Sequence, residues 1–136
     1  MFEDEIVTRV ESVIRDNEED DSLLKKNLLA VVENADWFSS CILFANRKWS
    51  DFFYTTMASS SNINIRKRLA ADHDAPVKIR CELIRDPEPE VRAALTLRWR
   101  TTPEDILREL MQDPVEEVRK SAFEALRNQN DPWLND

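Results

Sequence analysis

The ten residues DPEPEVRAAL begin at Asp86, and DPVEEVRKSA begins at Asp113. The likeness runs further upstream. Pro76 meets Pro103, Ile79 meets Ile106, Glu82 meets Glu109, Leu83 meets Leu110 and Ile84 meets Met111, all at the 27-residue shift that relates Asp86-Pro87 to Asp113-Pro114. Two unrelated amphipathic helices do not hold their prolines in register as well as their apolar residues. The chain therefore writes one supersecondary unit at least twice. A unit of this size cannot bury its apolar face alone and must lean on its neighbours.

Each unit makes physical sense as two helices. Asp86-Pro87 and Asp113-Pro114 read as an N-cap followed by proline in the first turn, where no backbone hydrogen bond is lost. Val91, Ala94 and Leu95 then recur at helical spacing, as do Val118, Ala122, Ala125 and Leu126. Thr102-Pro103 predicts the start of a second helix, with Ile106, Leu107, Leu110 and Met111 as its buried stripe; Ile79, Leu83 and Ile84 hold the equivalent places after Pro76. At a shift of 26, Ile65-Arg66 falls before Val91-Arg92, Leu69 before Leu95, and Phe53 and Met57 before Ile79 and Leu83, with Ser50 as a cap. The predicted units are 36–59, 60–85, 86–112 and 113–136. Ahead of them, residues 1–35 read as an N-terminal cap of two amphipathic helices. Ile6, Val7, Val10, Val13 and Ile14 form one stripe, and Leu23, Leu24, Leu28, Val31 and Val32 form another after Ser22. The acidic RDNEEDD turn links the two.

The chain has 136 residues and no glycine. Glycine-rich nucleotide loops, the serine-hydrolase elbow and glycine-dependent hairpin turns are thereby excluded. Helices joined by Asn-, Asp- and Pro-containing turns are the architecture that best tolerates this lack. No apolar run approaches the ~18 residues of a membrane span. The acidic N-terminus, MFEDEIVTRVE, lacks a signal pattern, so a cytoplasmic location is expected. Cys41, Cys81 and His73 show no zinc or iron–sulfur spacing, and both thiols are expected to be buried. No cofactor, metal or small-molecule substrate is expected.

RDPEPEVRAAL followed by TPEDILRELMQDPVEEVRKSA resembles the leucine-rich variant repeat, a short relative of the HEAT-like α-solenoid repeats. The likeness lies in the Asp-Pro turn, the Val-Arg pair, the Thr-Pro-Glu start and the leucine of the second helix. It implies an all-α fold, a short right-handed α-α superhelix behind a helical cap. It also implies a non-enzymatic surface for a protein or peptide. Some proteins with these repeats carry a cysteine-rich cluster segment; this chain has none, so no iron–sulfur role carries over. Units of 26–27 residues exceed the family's shorter pattern, which predicts that the second helices are fully α rather than 3₁₀.

Arg66, Arg92 and Arg119 recur with the period, and a residue repeated with the structural period is expected to tie the stack, through acids such as Asp86 or Asp113. Trp37, Trp49, Trp99 and Trp133 are expected to pack rather than to serve as exposed binding anchors. Glu104 and Asp105 suit the first turn of a helix. His73, inside DHD, lacks a nucleophile or second ligand at any definable spacing, and is expected at a helix end. The partner surface is placed on the outward positions of the second helices, at Tyr54, Lys78, Arg85, Asp105 and Arg108. Their mixed charge suits a protein or peptide better than a phosphate backbone.

The formal charge is −8 and uneven: residues 1–64 hold 6 basic and 12 acidic side chains, residues 65–136 hold 13 and 15. This balance argues against non-specific nucleic-acid binding by a HEAT-like positive channel. It leaves a second binding role open, an acidic inhibitor or immunity-type protein neutralising a basic enzyme such as a nuclease, docking through Asp16, Glu18, Glu19, Asp20 and Asp21.

Overall fold

The computed structural model describes residues 5–45 and 47–134. Among them there are nine α-helices and no strand: α1 (Glu5–Asp16), α2 (Asp21–Val32), α3 (Trp37–Phe44), α4 (Asp51–Ala58), α5 (Ile63–Ala70), α6 (Val77–Leu83), α7 (Pro89–Ala94), α8 (Glu104–Leu110) and α9 (Glu116–Gln129). The chain divides into two compact units, residues 1–69 and 70–136.

In the first unit α1 packs on α2 and α3, and α2 packs on α4. α1 thus meets its successor and its next-but-one neighbour, and α2 its next-but-one neighbour, as in stacked helical pairs. Val10, Leu28, Val32, Leu43, Phe44, Phe53, Tyr54, Met57 and Ile65 close the core. Capping is local: Asp20, Asp36 and Ser50 each accept from the backbone N–H three residues on, at Leu23, Ser39 and Phe53. The expected Ser50 cap is therefore present. The cap of α2 is Asp20, whose carboxylate accepts from the N–H of Leu23 at 3.1 Å. The Asn62 amide donates to Val32 O and Ala35 O, both at 2.8 Å, and ties the approach to α5 onto the end of α2.

An aromatic cluster fills the middle of this unit. Trp49 stacks on Phe53 with ring centres 4.5 Å apart; Phe44 lies 5.9 Å from Phe53 and 6.3 Å from Tyr54. The Tyr54 hydroxyl accepts from the Trp49 backbone N–H at 3.0 Å, and the Trp49 indole donates to Leu43 O at 2.9 Å. Every polar edge of these two rings is thereby used. Tyr54→Phe leaves the buried Trp49 N–H without its acceptor, so we expect a loss of about 1–3 kcal/mol in urea unfolding. An unchanged midpoint contradicts the assignment.

In the second unit the written repeat becomes a repeated hydrogen-bond pattern. Pro76 O accepts from Ile79 N and Arg80 N; Pro103 O accepts from Ile106 N and Leu107 N. Pro76 and Pro103 have nearly the same backbone angles, φ −55°, ψ 141° and φ −54°, ψ 141°. Leu83 O accepts from Asp86 N as Leu110 O does from Asp113 N, both at 3.1 Å. α6 and α8 are α-helical, as the long repeat predicted. α8 and α7 both pack against α9, around Leu107, Ala125 and Leu126, with Trp99 and Met111 laid on that cluster.

The helix starts differ from the sequence expectation. Asp86 and Asp113 are not N-caps. Each carboxylate accepts from the N–H two residues on, Glu88 at 3.0 Å and Val115 at 2.9 Å, which makes a compact Asx turn before the helix. α7 then begins at Pro89 and α9 at Glu116. Thr102 does not cap α8 either. Its hydroxyl donates backwards, to Leu95 O and Arg98 O, and Pro103 takes the N-cap position. The shared cause is that short polar side chains here close the turn preceding each helix.

Candidate functional site

The recurring arginines are structural. Arg66 Nη1 donates to Ser60 O, Arg92 Nη1 to Asp86 O and Arg119 Nη1 to Asp113 O, at 2.8, 2.7 and 2.7 Å. The donor stands six residues after its acceptor each time, so the guanidinium clamps the turn that leads into its own helix. Arg92 goes further: its fork grips the Asp113 carboxylate at 2.7 and 3.1 Å. The two side chains are only 10% and 4% exposed. Burial alone would raise the Asp113 carboxyl. The hydrogen bonds from Arg92 and the Val115 N–H, with the charges of Arg92 and Arg119, outweigh it and hold the group below its ordinary value. The expected role of Asp113 in tying units together is met at this pair.

The outward row of second helices is only partly as expected. Lys78, Arg85, Asp105 and Arg108 are exposed, but Tyr54 is wholly buried. Tyr54 stands 26 residues before Arg80, which stands 27 before Leu107, and all three positions are interior, 0%, 3% and 0% exposed. The repeat register thus assigns Tyr54 to the core, and its hydroxyl does there what Leu107 cannot. Arg80 is the exception in that series. Its Nε and Nη1 meet no acceptor, burial pushes its guanidinium pKa down, and the charge of Asp72 opposes that push.

Lys78, Arg85 and Asp105 come together. They line a groove of about 480 Å³ between α6 and α8, with Cys81, Glu82, Ile84, Ile106 and Glu109. Lys78, Cys81 and Glu82 on α6 and Arg85 just past its end stand at i, i+3, i+4 and i+7, one continuous stripe. On α8, Asp105 and Glu109 form the facing stripe. Asp105 is one repeat after Lys78, so the same register position carries opposite charge on the two walls. Half-buried Ile84 and buried Ile106 supply an apolar floor. Arg108 is not in this lining; it pairs with Glu104 one turn back, at 3.4 Å. Cys81, Glu82 and Glu109 were not among the expected residues, although for the first two the i, i+3, i+4, i+7 pattern after Lys78 was the signal.

The remaining candidates have structural places. Glu104 and Asp105 occupy the first turn of α8, as expected. Exposed His73 lies between α5 and α6, 3.6 Å from Asp74. Trp49 is buried and Trp99 half-buried, as expected; Trp133 is not packed but 87% exposed, and Trp37 stays 41% exposed beneath the Lys67 ammonium, which lies 4.9 Å from its ring centre. Neither thiol is buried as expected: Cys41 is half-buried and Cys81 exposed, because Cys81 falls on the outer stripe of α6. Asp16, Glu18, Glu19, Asp20 and Asp21 are all exposed. Among the described residues no group of three His, Cys, Asp or Glu side chains could hold a metal ion, and no helix is long and apolar enough to cross a membrane.

The HEAT repeat family model matches residues 105–128, which take in nearly all of α8, the Asp113 turn and most of α9. No curated protein and no solved structure matches the chain. The matched span and the all-helical packing support a HEAT-like helical repeat. Repeats of this class commonly serve as protein-interaction modules and are generally non-enzymatic scaffolds.

Proposed function

We propose that this chain is a non-enzymatic interaction module that receives a protein or peptide segment in the groove between α6 and α8. The observation that carries it is the meeting of Lys78, Arg85 and Asp105 over the Ile84–Ile106 floor. Charges of both signs on opposite walls select a segment of complementary pattern, and the apolar floor supplies the gain on burial. Helices that are formed before binding reduce the ordering cost. Glu82 and Glu109 add to the acidic side of the recognition. Arg108 borders the site rather than lining it. We further read the repeat as the leucine-rich variant kind, supported by its Asp-Pro turn and Val-Arg pair, and the protein as cytoplasmic.

Cys81 provides the test. A photo-crosslinker placed on it through a maleimide, in a Cys41→Ser background, reports what occupies the groove in a native extract. The doubly reversed variant Lys78→Glu, Arg85→Glu is expected to lose the crosslinked protein bands and keep its helical circular dichroism. Identical bands from both proteins would sink the proposal. Recovery of nucleic acid instead of protein, lost at high salt, would do so as well.

The acidic-inhibitor reading has one observation in its favour, the exposed run from Asp16 to Asp21. Part of that run is already employed: Asp20 caps α2, and Asp16 lies 3.7 Å from Arg15.

A further inference from the structure

One face of the second unit repeats a covered surface without its cover. Arg92 and Thr96 on α7 and its following turn are 8% and 6% exposed, and the Arg92 fork is closed by Asp113 from the next unit. One repeat later, the same positions are Arg119 and Phe123. Arg119 keeps the backward bond to Asp113 O but, among the described residues, its fork meets no carboxylate. Phe123 is 53% exposed. Around them lies a groove of about 460 Å³ lined by Met111, Glu116, Arg119, Lys120, Phe123 and Glu124.

The charges of this face cancel. Arg119 and Lys120 are cationic, Glu116 and Glu124 anionic, and the four surround the apolar pair Met111 and Phe123. Lys120 and Glu116 pair with each other, at 3.5 Å. Equal charges of both signs around an apolar centre allow a second copy to meet this face without net repulsion. Two-fold association needs that property, because the same patch must serve on both molecules. An aromatic anchor within a charged rim is also the arrangement that concentrates binding energy.

We infer that the α9 face, centred on Phe123, binds a second copy of this chain. The carboxylates of the partner copy occupy the open fork of Arg119, as Asp113 occupies that of Arg92. The two Phe123–Met111 surfaces cover each other. The α6–α8 groove takes no part, so the association is independent of the proposed function.

Sedimentation velocity from micromolar to millimolar concentration tests this. The wild-type protein is expected to rise from its monomer mass of 16.0 kDa toward twice that value. Phe123→Asp is expected to weaken the dimer about tenfold or more. A face made all acidic (Arg119→Glu, Lys120→Glu) and a face made all basic (Glu116→Lys, Glu124→Lys) should each be monomeric, and an equimolar mixture should recover the dimer. That mixture keeps the test independent of whether Phe123→Asp folds. Lys78→Glu, Arg85→Glu should dimerise like the wild type. A wild-type protein that stays at monomer mass throughout, or a mixture that does not associate, overturns the inference and leaves the face to solvent or to a different partner.

Discussion

Asp113→Ala is expected to be among the most damaging single substitutions in this protein, with a loss of about 3–5 kcal/mol of unfolding free energy. The carboxylate accepts both arms of the Arg92 fork and the Val115 N–H. Its removal leaves a guanidinium in a site 10% exposed with only the Asp86 carbonyl for company. The expense lies in that uncompensated charge rather than in the pair itself. Adding Arg92→Met to Asp113→Ala is therefore expected to restore part of the loss. Asp113→Asn keeps an acceptor for Val115 and should fall between wild type and alanine. The pH dependence has a definite sign. The folded carboxyl lies below its ordinary value, so its contribution is present above the unfolded pKa, about 3.9. It disappears as pH falls through the lower folded value. Acid titration of the Asp113→Ala protein should be flatter over that window. Urea unfolding checks all of this, and an alanine variant as stable as wild type ends the case for the clamp.

Phe53→Ala is expected to cost about 3–5 kcal/mol by a different route. Phe53 is 1% exposed and touches Trp49, Phe44 and Tyr54 at ring-centre distances of 4.5, 5.9 and 6.0 Å. Alanine removes the shared member of three aromatic contacts and leaves a cavity that rigid neighbours cannot close. Phe53→Leu keeps most of the volume and should lose much less. Trp49 is the tryptophan packed against the deleted ring, so its fluorescence should shift to the red in Phe53→Ala before any denaturant is added. A protein with unchanged emission and unchanged stability would show that the cluster is not the core of the first unit.

Much of the architecture was legible in the residues. The 27-residue shift between Asp86 and Asp113 predicted two copies of one helical pair, and the same hydrogen bonds recur at that shift from Pro76 O to Pro103 O. Of the apolar stripes read for α1 and α2, Ile6, Val10, Leu24, Leu28 and Val32 are buried while Leu23 is exposed, and Ser50 was identified as a cap. The structural role of Arg92 followed from its recurrence. Misplaced were the local starts of helices. Asp86, Asp113 and Thr102 have the chemistry of a cap, and a side-chain oxygen can serve either the helix ahead or the turn behind. Which one it serves depends on backbone angles that one-dimensional spacing does not contain. Tyr54 was misassigned as well. It was placed in the outward row of the second helices, although its repeat position, polar at Arg80 and apolar at Leu107, is interior in all three units.

The sequence alone determined that helices of this chain come in repeated pairs, since the period of apolar residues and prolines is carried in the covalent order and each pair needs a neighbour to cover its stripe. It also determined that charges of both signs line the outer faces. Only the tertiary structure decided that Lys78, Arg85 and Asp105 share one groove while Tyr54 lies in the core, and that Arg92 meets a carboxylate where Arg119, among the described residues, does not. These are facts of distance between residues on different helices. Such distances are set by how side chains fill the space between the helices, and spacing along a chain does not specify that filling.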